Sequence, residues 1–170
     1  MGEEILEIID ECGRVIGRAP RSACHSDPRL IHWAVHVLVR RPSGNLLLQL
    51  RSMRKDVQPG KWDTSVGGHV APGETVLAAA RRETGEELGF RPAPLKKLYE
   101  YLWRSERETE LVATYLATHS GPVKWPEDEI DQVREWTIEE IESQLGSGCF
   151  TPNFEQEIRR FLHWLGRKNR

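Results

Sequence analysis

The stretch that decides the fold is GHVAPGETVLAAARRETGEELGF, residues 68–90. Thr75 has the character of a helix N-cap, and Gly89 stands where a glycine in the left-handed conformation commonly ends a helix. Between them runs a stripe at helical spacing, formed by Leu77, Ala80, Thr84 and Leu88. With about 3.6 residues per turn, these signals predict one helix from about Thr75 to Leu88.

Three glutamates occupy the last turns of this helix, at Glu83, Glu86 and Glu87. The helix macrodipole disfavours each of them by roughly 0.3–1 kcal/mol, and the like-charge pair at i, i+4 adds a few tenths. The three cover an arc of about 100° on the helical wheel, so they can point to a common place. Oxygen ligands on one face suit Mg²⁺ or Mn²⁺. We expect a divalent cation here, and the alternative is a solvated acidic surface facing Arg81 and Arg82.

Composition limits the classes of protein and partner. The chain has 170 residues, of which 38% are hydrophobic, so we expect a single domain over residues 1–170. The formal net charge of −2 excludes a global field that would hold a nucleic acid polymer or an acidic membrane. Three widely spaced cysteines, Cys12, Cys24 and Cys149, indicate reduced thiols in a cytoplasm. The acidic start lacks an export signal, and no apolar run approaches the length of a membrane span.

The remaining elements are read from hydrophobic periodicity and turn residues. EILEIID and RVIG predict a hairpin, and residues 18–29 predict a loop. Strands are predicted at IHWAVHVLVR, NLLLQLR and TSV, with a loop through QPGKWD, and later at LKKLYEYLWR, TELVATYLAT and QVREWT. Two further helices are predicted near residues 138–145 and 153–165. The pattern indicates an α/β sandwich, a mixed sheet with helices on its faces.

The spacing of the glycines and glutamates in residues 68–90 resembles the Nudix box, the loop-helix-loop signature of the Nudix hydrolases. Every specified polar and glycine position matches, and the one departure is Thr84, where the box usually has an aliphatic residue. The resemblance implies the Nudix fold, an α+β arrangement with a mixed β-sheet sandwiched between helices. It also implies metal-dependent cleavage of a diphosphate linkage in a small molecule.

The same resemblance implies roles for individual residues. Glu83, Glu86 and Glu87 match the metal-binding glutamates, Arg82 the arginine that orients them, Glu74 an accessory glutamate, and Gly67 the residue whose carbonyl often joins the metal shell. The implied cofactor is Mg²⁺ or Mn²⁺. The implied general base is Glu83 or a residue of a later loop.

A longer resemblance, from about Asp10 to Phe154, is to the isopentenyl-diphosphate isomerase branch of the Nudix superfamily. It rests on RSACHSDPRLIHWAVHV, LLLQLRSMRK, PGKWDTSVGGH, the box, ETELVATY and FTPNF, in that order. It implies a second metal site at His25, His32, His69, Glu108 and Glu110. Imidazole with carboxylate suits Mn²⁺, Zn²⁺ or Fe²⁺. No local spacing indicates this site, and the alternative is core histidines with a solvated acidic turn.

Two departures from the isomerase pattern favour a hydrolase on an isomerase-like frame. Gly67 stands where the isomerases have their catalytic cysteine, and a glycine cannot shuttle a proton. Asn153 stands where their tryptophan is expected. The resemblance further implies diphosphate contacts at Arg51 and Lys55, with Arg21 and Lys61 as nearby candidates, and the alternative is a basic loop that serves solubility.

The sequence therefore predicts a metal-dependent hydrolase of a nucleoside diphosphate derivative or related small molecule. The alternatives are an isopentenyl-diphosphate isomerase-like activity and a non-catalytic nucleotide- or metabolite-binding module. A homodimer is common in such folds, although no feature of this sequence specifies one. The group attached to the diphosphate stays open among base, sugar, prenyl and inositol.

Overall fold

The structure is a computed structural model that describes residues 2–168. Within that range the chain forms nine strands and four helices. The strands are β1 (Ile5–Ile9), β2 (Val15–Pro20), β3 (Ile31–Arg40), β4 (Leu46–Arg51), β5 (Trp62–Asp63), β6 (Val66–His69), β7 (Lys96–Arg104), β8 (Thr109–Thr118) and β9 (Ile130–Trp136). The helices are α1 (Arg21–Cys24), α2 (Val76–Leu88), α3 (Ile138–Gln144) and α4 (Pro152–Lys168).

Strand β3 is the centre of one mixed sheet. Along one edge it pairs in parallel with the whole of β8, and along the other it pairs antiparallel with β1, β6 and β4 in succession. This register sets His32 beside Glu110 and Ala34 beside His69. The topology therefore brings the start of β3, the end of β6 and the start of β8 to one place.

Helices cover both faces of the sheet, because successive side chains of a strand point to opposite faces. On one face α2 packs against β3, in a core that includes Val35, Val37, Val39, Ala79, Ala80 and Leu88. On the other face α4 packs against β3 and β4, in a core that includes Leu38, Leu46, Leu48, Phe154, Ile158 and Phe161. The predicted fold class, a mixed sheet between helices, is confirmed.

Helix α2 has the ends that its sequence predicts. The side chain of Thr75 accepts a hydrogen bond from the backbone N–H of Ala78, and Gly89 has a φ of 71°. The buried hydroxyl of Thr84 donates to the carbonyl of Ala80 at 2.7 Å, which satisfies the polar atom that this residue brings into the core. The hydroxyl group that Thr84 brings in place of an aliphatic side chain thus finds its hydrogen-bond acceptor within one turn of the helix.

Several boundaries differ from the prediction, among them that of the strand predicted at TSV, which is β6 at Val66–His69. Residues 18–29 are not all loop, since β2 continues to Pro20 and residues 21–24 form α1. A helix of four residues is too short to show a periodic pattern, which explains why the sequence gives no signal for it. The segment through QPGKWD contains β5, and α4 extends beyond the predicted ends. No helix within residues 2–168 is long and apolar enough to cross a membrane.

Candidate metal and catalytic site

Glu87, in the last turn of α2, points back toward β6 and β4. One carboxylate oxygen accepts hydrogen bonds from the backbone N–H of Gly67 at 3.1 Å and from the side-chain amide of Gln49 at 2.8 Å. Burial raises the pKa of Glu87 to about 8, and the nearby charge of Glu83 acts in the same direction. Both donors are neutral, so no positive charge balances this carboxylate when it is ionised. A divalent cation bound beside it would supply that charge.

Arg82 connects the other box residues. Its guanidinium donates to Glu74 at 2.9 and 3.0 Å, to Glu83 at 2.6 Å and to Glu86 at 3.2 Å, and it also donates to the carbonyl of His69 at 3.0 Å. These contacts lower the pKa of Glu74. Burial raises the pKa of Glu83 in spite of Arg82. The arrangement supports the orienting role that the resemblance implies for Arg82.

Strand β6 packs its backbone directly against these carboxylates. A Cβ atom added to Gly68 would lie 2.1 Å from the carboxyl carbon of Glu83, a distance that no side chain tolerates. The neighbouring residue, Gly67, uses its N–H to bind Glu87. Gly68 thus allows β6 to lie close to Glu83, while the backbone of Gly67 holds Glu87.

The five residues of the implied second metal site come together in the structure, and we call them the His/Glu cluster. They are His25, directly after α1; His32, on β3; His69, the last residue of β6; and Glu108 and Glu110, at the start of β8. The three imidazole rings have centroids 5.1–5.6 Å apart. Their side chains are between 0% and 15% exposed.

The ligand atoms of the His/Glu cluster face one another. Those of His25, His32 and His69 all lie within 4.8 Å of one another, and so do those of His32, Glu108 and Glu110. The Nδ1 of His25, the Nε2 of His32 and one oxygen of Glu108 are buried and make no hydrogen bond in the described part of the chain, although the Nδ1 of His25 lies 3.3 Å from that oxygen of Glu108. Buried polar atoms normally make a hydrogen bond, so nitrogen and oxygen atoms that make none and converge on one place fit a bound cation.

The charge states of His25 and of the two carboxylates also suit a cation. Burial lowers the pKa of His25 to about 4, which keeps this imidazole neutral, as a metal ligand must be. Burial would raise the pKa of Glu110, but the neighbouring His32 and the charge of His69 lower it to about 2. Burial and the charge of Glu110 raise the pKa of Glu108. A divalent ion would stabilise both carboxylates in their charged form.

The predicted phosphate contacts already have protein partners. Arg51 donates to the carbonyl of Val57 at 2.9 and 3.1 Å and to Asp63 at 3.3 Å, and Lys55 pairs with Glu129 at 2.7 Å. These bonds hold the segment between β4 and β5. The remaining two candidates are Arg21, on α1 beside the His/Glu cluster, and Lys61, whose carbonyl accepts from the backbone N–H of Arg51.

A buried polar group on the α4 side escapes prediction from sequence. His36, on β3, pairs with Glu157 of α4 at 3.0 Å, and Thr114 donates to the same carboxylate at 2.7 Å. Burial would lower the pKa of His36, but the charge of Glu157 and its hydrogen bond raise it to about 9. Since His36 and Glu157 are 121 residues apart in the chain, no spacing could have revealed the contact.

Known proteins resemble this chain over most of its length. A family model described as the NUDIX domain matches residues 30–165. An uncharacterized Nudix hydrolase of Yersinia pestis is 33% identical over 166 residues, which cover 98% of this chain and 88% of the relative. The crystal structure of DR0079 from Deinococcus radiodurans has a TM-score of 0.79 at 25% identity and covers 92% of this chain and 98% of its own.

A further relative is similar over a shorter region. The isopentenyl-diphosphate Delta-isomerase of Streptomyces avermitilis is 44% identical over 91 residues, which are 54% of this chain and 46% of the isomerase. The isomerase resemblance in the sequence is therefore confirmed as a partial one. The region matched by the family model includes α2 and four of the five cluster residues, and His25 lies before it.

Proposed function

Because the chain belongs to the Nudix hydrolase family, we propose that it uses a divalent cation, Mg²⁺ or Mn²⁺, to cleave a diphosphate linkage in a nucleoside diphosphate derivative or related small molecule. The family hydrolyses nucleoside diphosphate derivatives in general, acts on small molecules and generally uses divalent metal ions. The metal, the linkage and the roles of residues in this chain are the parts that we propose.

The observation that carries the proposal is the environment of Glu87. Its carboxylate is held by two neutral donors, Gly67 and Gln49, and the charge of Glu83 helps to raise its pKa. The ionised form of this carboxyl group therefore has no positive charge to balance it, on the face where the helix also presents Glu83 and Glu86. Such a site fits a cation that completes its shell with phosphate oxygens and water.

The roles of the chain's own groups follow from these contacts. A bound Mg²⁺ supplies charge neutralisation at the phosphate oxygens and lowers the pKa of a coordinated water. Glu87 and Glu86 would hold the cation, together with the carbonyl of Gly67. Glu83, whose pKa is raised and whose orientation is fixed by Arg82, is suited to take a proton from the attacking water.

We also propose that the His/Glu cluster holds a second divalent cation. Its donor set of three imidazoles and two carboxylates suits Zn²⁺, Mn²⁺ or Fe²⁺ better than Mg²⁺. The buried atoms of His25, His32 and Glu108 that make no hydrogen bond support this assignment. Because His69 ends the strand whose glycines contact the box glutamates, β6 connects the two centres directly.

The test is a substrate panel with and without Mg²⁺ or Mn²⁺. Nucleoside di- and triphosphates, dinucleotides, nucleotide sugars and prenyl diphosphates would be assayed for their phosphorylated cleavage products. Glu87→Gln is the inactive variant, and Glu142→Gln, whose side chain is exposed on α3, is the matched control. Turnover of one compound that needs the metal and Glu87 supports the hydrolase. Thermal stabilisation by several compounds, without product from any, would support a binding module instead.

The second candidate function is isopentenyl-diphosphate isomerisation, which the assembled His/Glu cluster and the 44% identical region favour. The glycine at position 67 opposes it, because the backbone there offers no group that can move a proton to carbon. Incubation with isopentenyl diphosphate in D₂O, followed by mass spectrometry, separates the two functions. We expect no deuterium in the carbon skeleton, and its incorporation would establish the isomerase.

A further inference from the structure

Glu4 lies directly before β1 and reaches the edge of the His/Glu cluster. Its carboxylate oxygen Oε2 lies 3.4 Å from Nδ1 of His69 and 3.7 Å from Nε of Arg21. Its backbone carbonyl accepts a hydrogen bond from the N–H of Arg21 at 2.8 Å. The hairpin of β1 and β2, together with α1, therefore fixes the place of Glu4 beside the ring of His69.

The two nitrogens of His69 face different surroundings. Nε2 faces the interior of the cluster, 3.2 Å from Nε2 of His25 and 3.9 Å from a carboxylate oxygen of Glu110. Nδ1 faces outward to Glu4. An imidazole that binds a cation through Nε2 carries its proton on Nδ1, and a carboxylate that accepts this proton fixes the tautomer and makes the ligand more basic.

His32 shows the same arrangement with a different acceptor. Its Nδ1 lies 3.4 Å from the carbonyl of Leu30, while its Nε2 faces Glu110 at 3.7 Å. Two of the three histidines thus have one nitrogen inside the cluster and the other beside an oxygen outside it. This division of roles is the one that metal-binding histidines adopt in proteins.

From this geometry we propose that Glu4 is a positioning residue that holds His69 with Nε2 available to the cation of the His/Glu cluster. The inference rests on the proposed second cation. It assigns a role to a residue outside the region matched by the family model, which begins at residue 30. In this role Glu4 contacts the imidazole of His69 and does not itself bind the cation.

A purely structural role for Glu4 makes a different expectation. Its ion pair with Arg21 is 3.7 Å long and its side chain is 49% exposed, so the pair contributes little to stability. If Glu4 acted only through Arg21, its removal would leave the affinity for metal unchanged. Metal affinity therefore separates the positioning role from the structural one.

The experiment is a titration of the full chain with Zn²⁺ in the presence of excess Mg²⁺, which competes for the box carboxylates. Zn²⁺ binding that the parent shows and His32→Gln lacks is assigned to the His/Glu cluster. We expect Glu4→Ala to weaken that binding about 10–100-fold, since loss of an outer partner of a metal ligand has this effect. Glu4→Gln should weaken it less, because the amide oxygen can still accept the proton.

The matched control is Glu7→Gln, which removes one negative charge from the same hairpin, where Glu7 pairs with Arg18 at 3.1 Å. It should keep the affinity of the parent. In the Zn²⁺-loaded protein, the Nδ1 proton of His69 should give a protected downfield NMR resonance that Glu4→Ala loses to solvent exchange.

Two outcomes would overturn the proposal. Unchanged Zn²⁺ affinity in Glu4→Ala, with a parent that binds at the cluster, refutes the positioning role alone. A parent that binds no Zn²⁺ removable by His32→Gln refutes the second cation and the role of Glu4 with it. Either outcome leaves the hydrolase assignment to be judged by the substrate panel, which depends on Glu87.

Discussion

The box glutamates and the His/Glu cluster are both candidate metal sites, but the chain builds them differently. The box ligands come from adjacent turns of one helix, whereas the cluster collects its ligands from the end of α1 and from β3, β6 and the start of β8. Cluster atoms converge within 4.8 Å, and the box carboxylates form no such group among residues 2–168. Instead Glu87 turns inward to Gly67, Glu83 is held by Arg82, and Glu86 is 59% exposed.

The cluster is therefore a preassembled site, whereas the ligands of the box have to be brought together when the cation binds. The cluster has little to reorganise, so it should bind a suitable cation in the absence of substrate. The box carboxylates must be drawn together by a cation and by the phosphate oxygens that complete its shell. We therefore expect tight resting occupancy at the cluster and weak, substrate-assisted occupancy at the box.

The largest expected effect comes from removing the box without touching the cluster. Glu87→Gln should lower kcat by at least about 10³-fold, because a metal contributes several kcal/mol at the transition state and each 1.36 kcal/mol is a factor of ten. The Zn²⁺ affinity of the cluster should stay that of the parent. Steady-state kinetics and metal titration on the same samples measure both. Loss of both properties together would show that the two centres are one functional unit.

The next effect tests how closely β6 must approach the helix. Gly68→Ala places a methyl group on the carboxyl group of Glu83, which must then move, and a displacement of about 1 Å can cost on the order of 10²-fold in rate. Gly17→Ala, where an added Cβ meets nothing within 4 Å, is the matched control. Equal kcat/KM values in the two variants would argue against a fixed position for Glu83.

The same division decides what can be predicted from the sequence. Helix α2 is predictable to its caps because its signals are local, from Thr75 to Gly89. The box is predictable for the same reason, since its spacing lies within 23 consecutive residues. The cluster is predictable only through the isomerase resemblance, because strand pairing and not spacing places His32 beside Glu110.

Other features have no signal that one sequence could carry. The hydrogen bond from Gln49 to Glu87 joins β4 to α2 across 38 residues, and both are common residue types on their elements. The buried pair of His36 and Glu157 is of the same kind. Arg51 has a basic side chain that suits phosphate, yet its partners in the fold are Val57 and Asp63, which only the folded loop shows.

A stability measurement sharpens the view of the cluster as a preassembled site. At a Zn²⁺ concentration of about 100 times Kd, binding should stabilise the fold by about 2.7 kcal/mol, which is roughly 5–10 °C in Tm for a chain of this size. His32→Gln should remove that increase. Differential scanning fluorimetry with excess Mg²⁺ measures it, and an equal increase in the variant would place the Zn²⁺ elsewhere.

The smallest expected effect is the pH dependence that Glu87 adds to the metal-free protein. Its pKa is about 8 when folded and near 4.5 when unfolded, so the folded state binds the extra proton between these values. The sign is therefore a loss of stability as pH rises from about 4.5 to 8. Urea unfolding in EDTA at pH 5 and pH 8 should show this loss in the parent relative to Glu87→Gln. The same change in unfolding free energy between pH 5 and pH 8 in the parent and in Glu87→Gln would contradict the raised pKa.

The measurement that tests the central claim most directly is turnover in H₂¹⁸O with Mg²⁺, followed by ³¹P NMR of the products. With the panel compound that the chain turns over, we expect one ¹⁸O atom in one of the two phosphorylated products and none in the same reaction with Glu87→Gln. That result places water attack at phosphorus under the control of the box. Absence of labelled phosphate products from every panel compound would contradict the assignment of the box as a diphosphate hydrolase site.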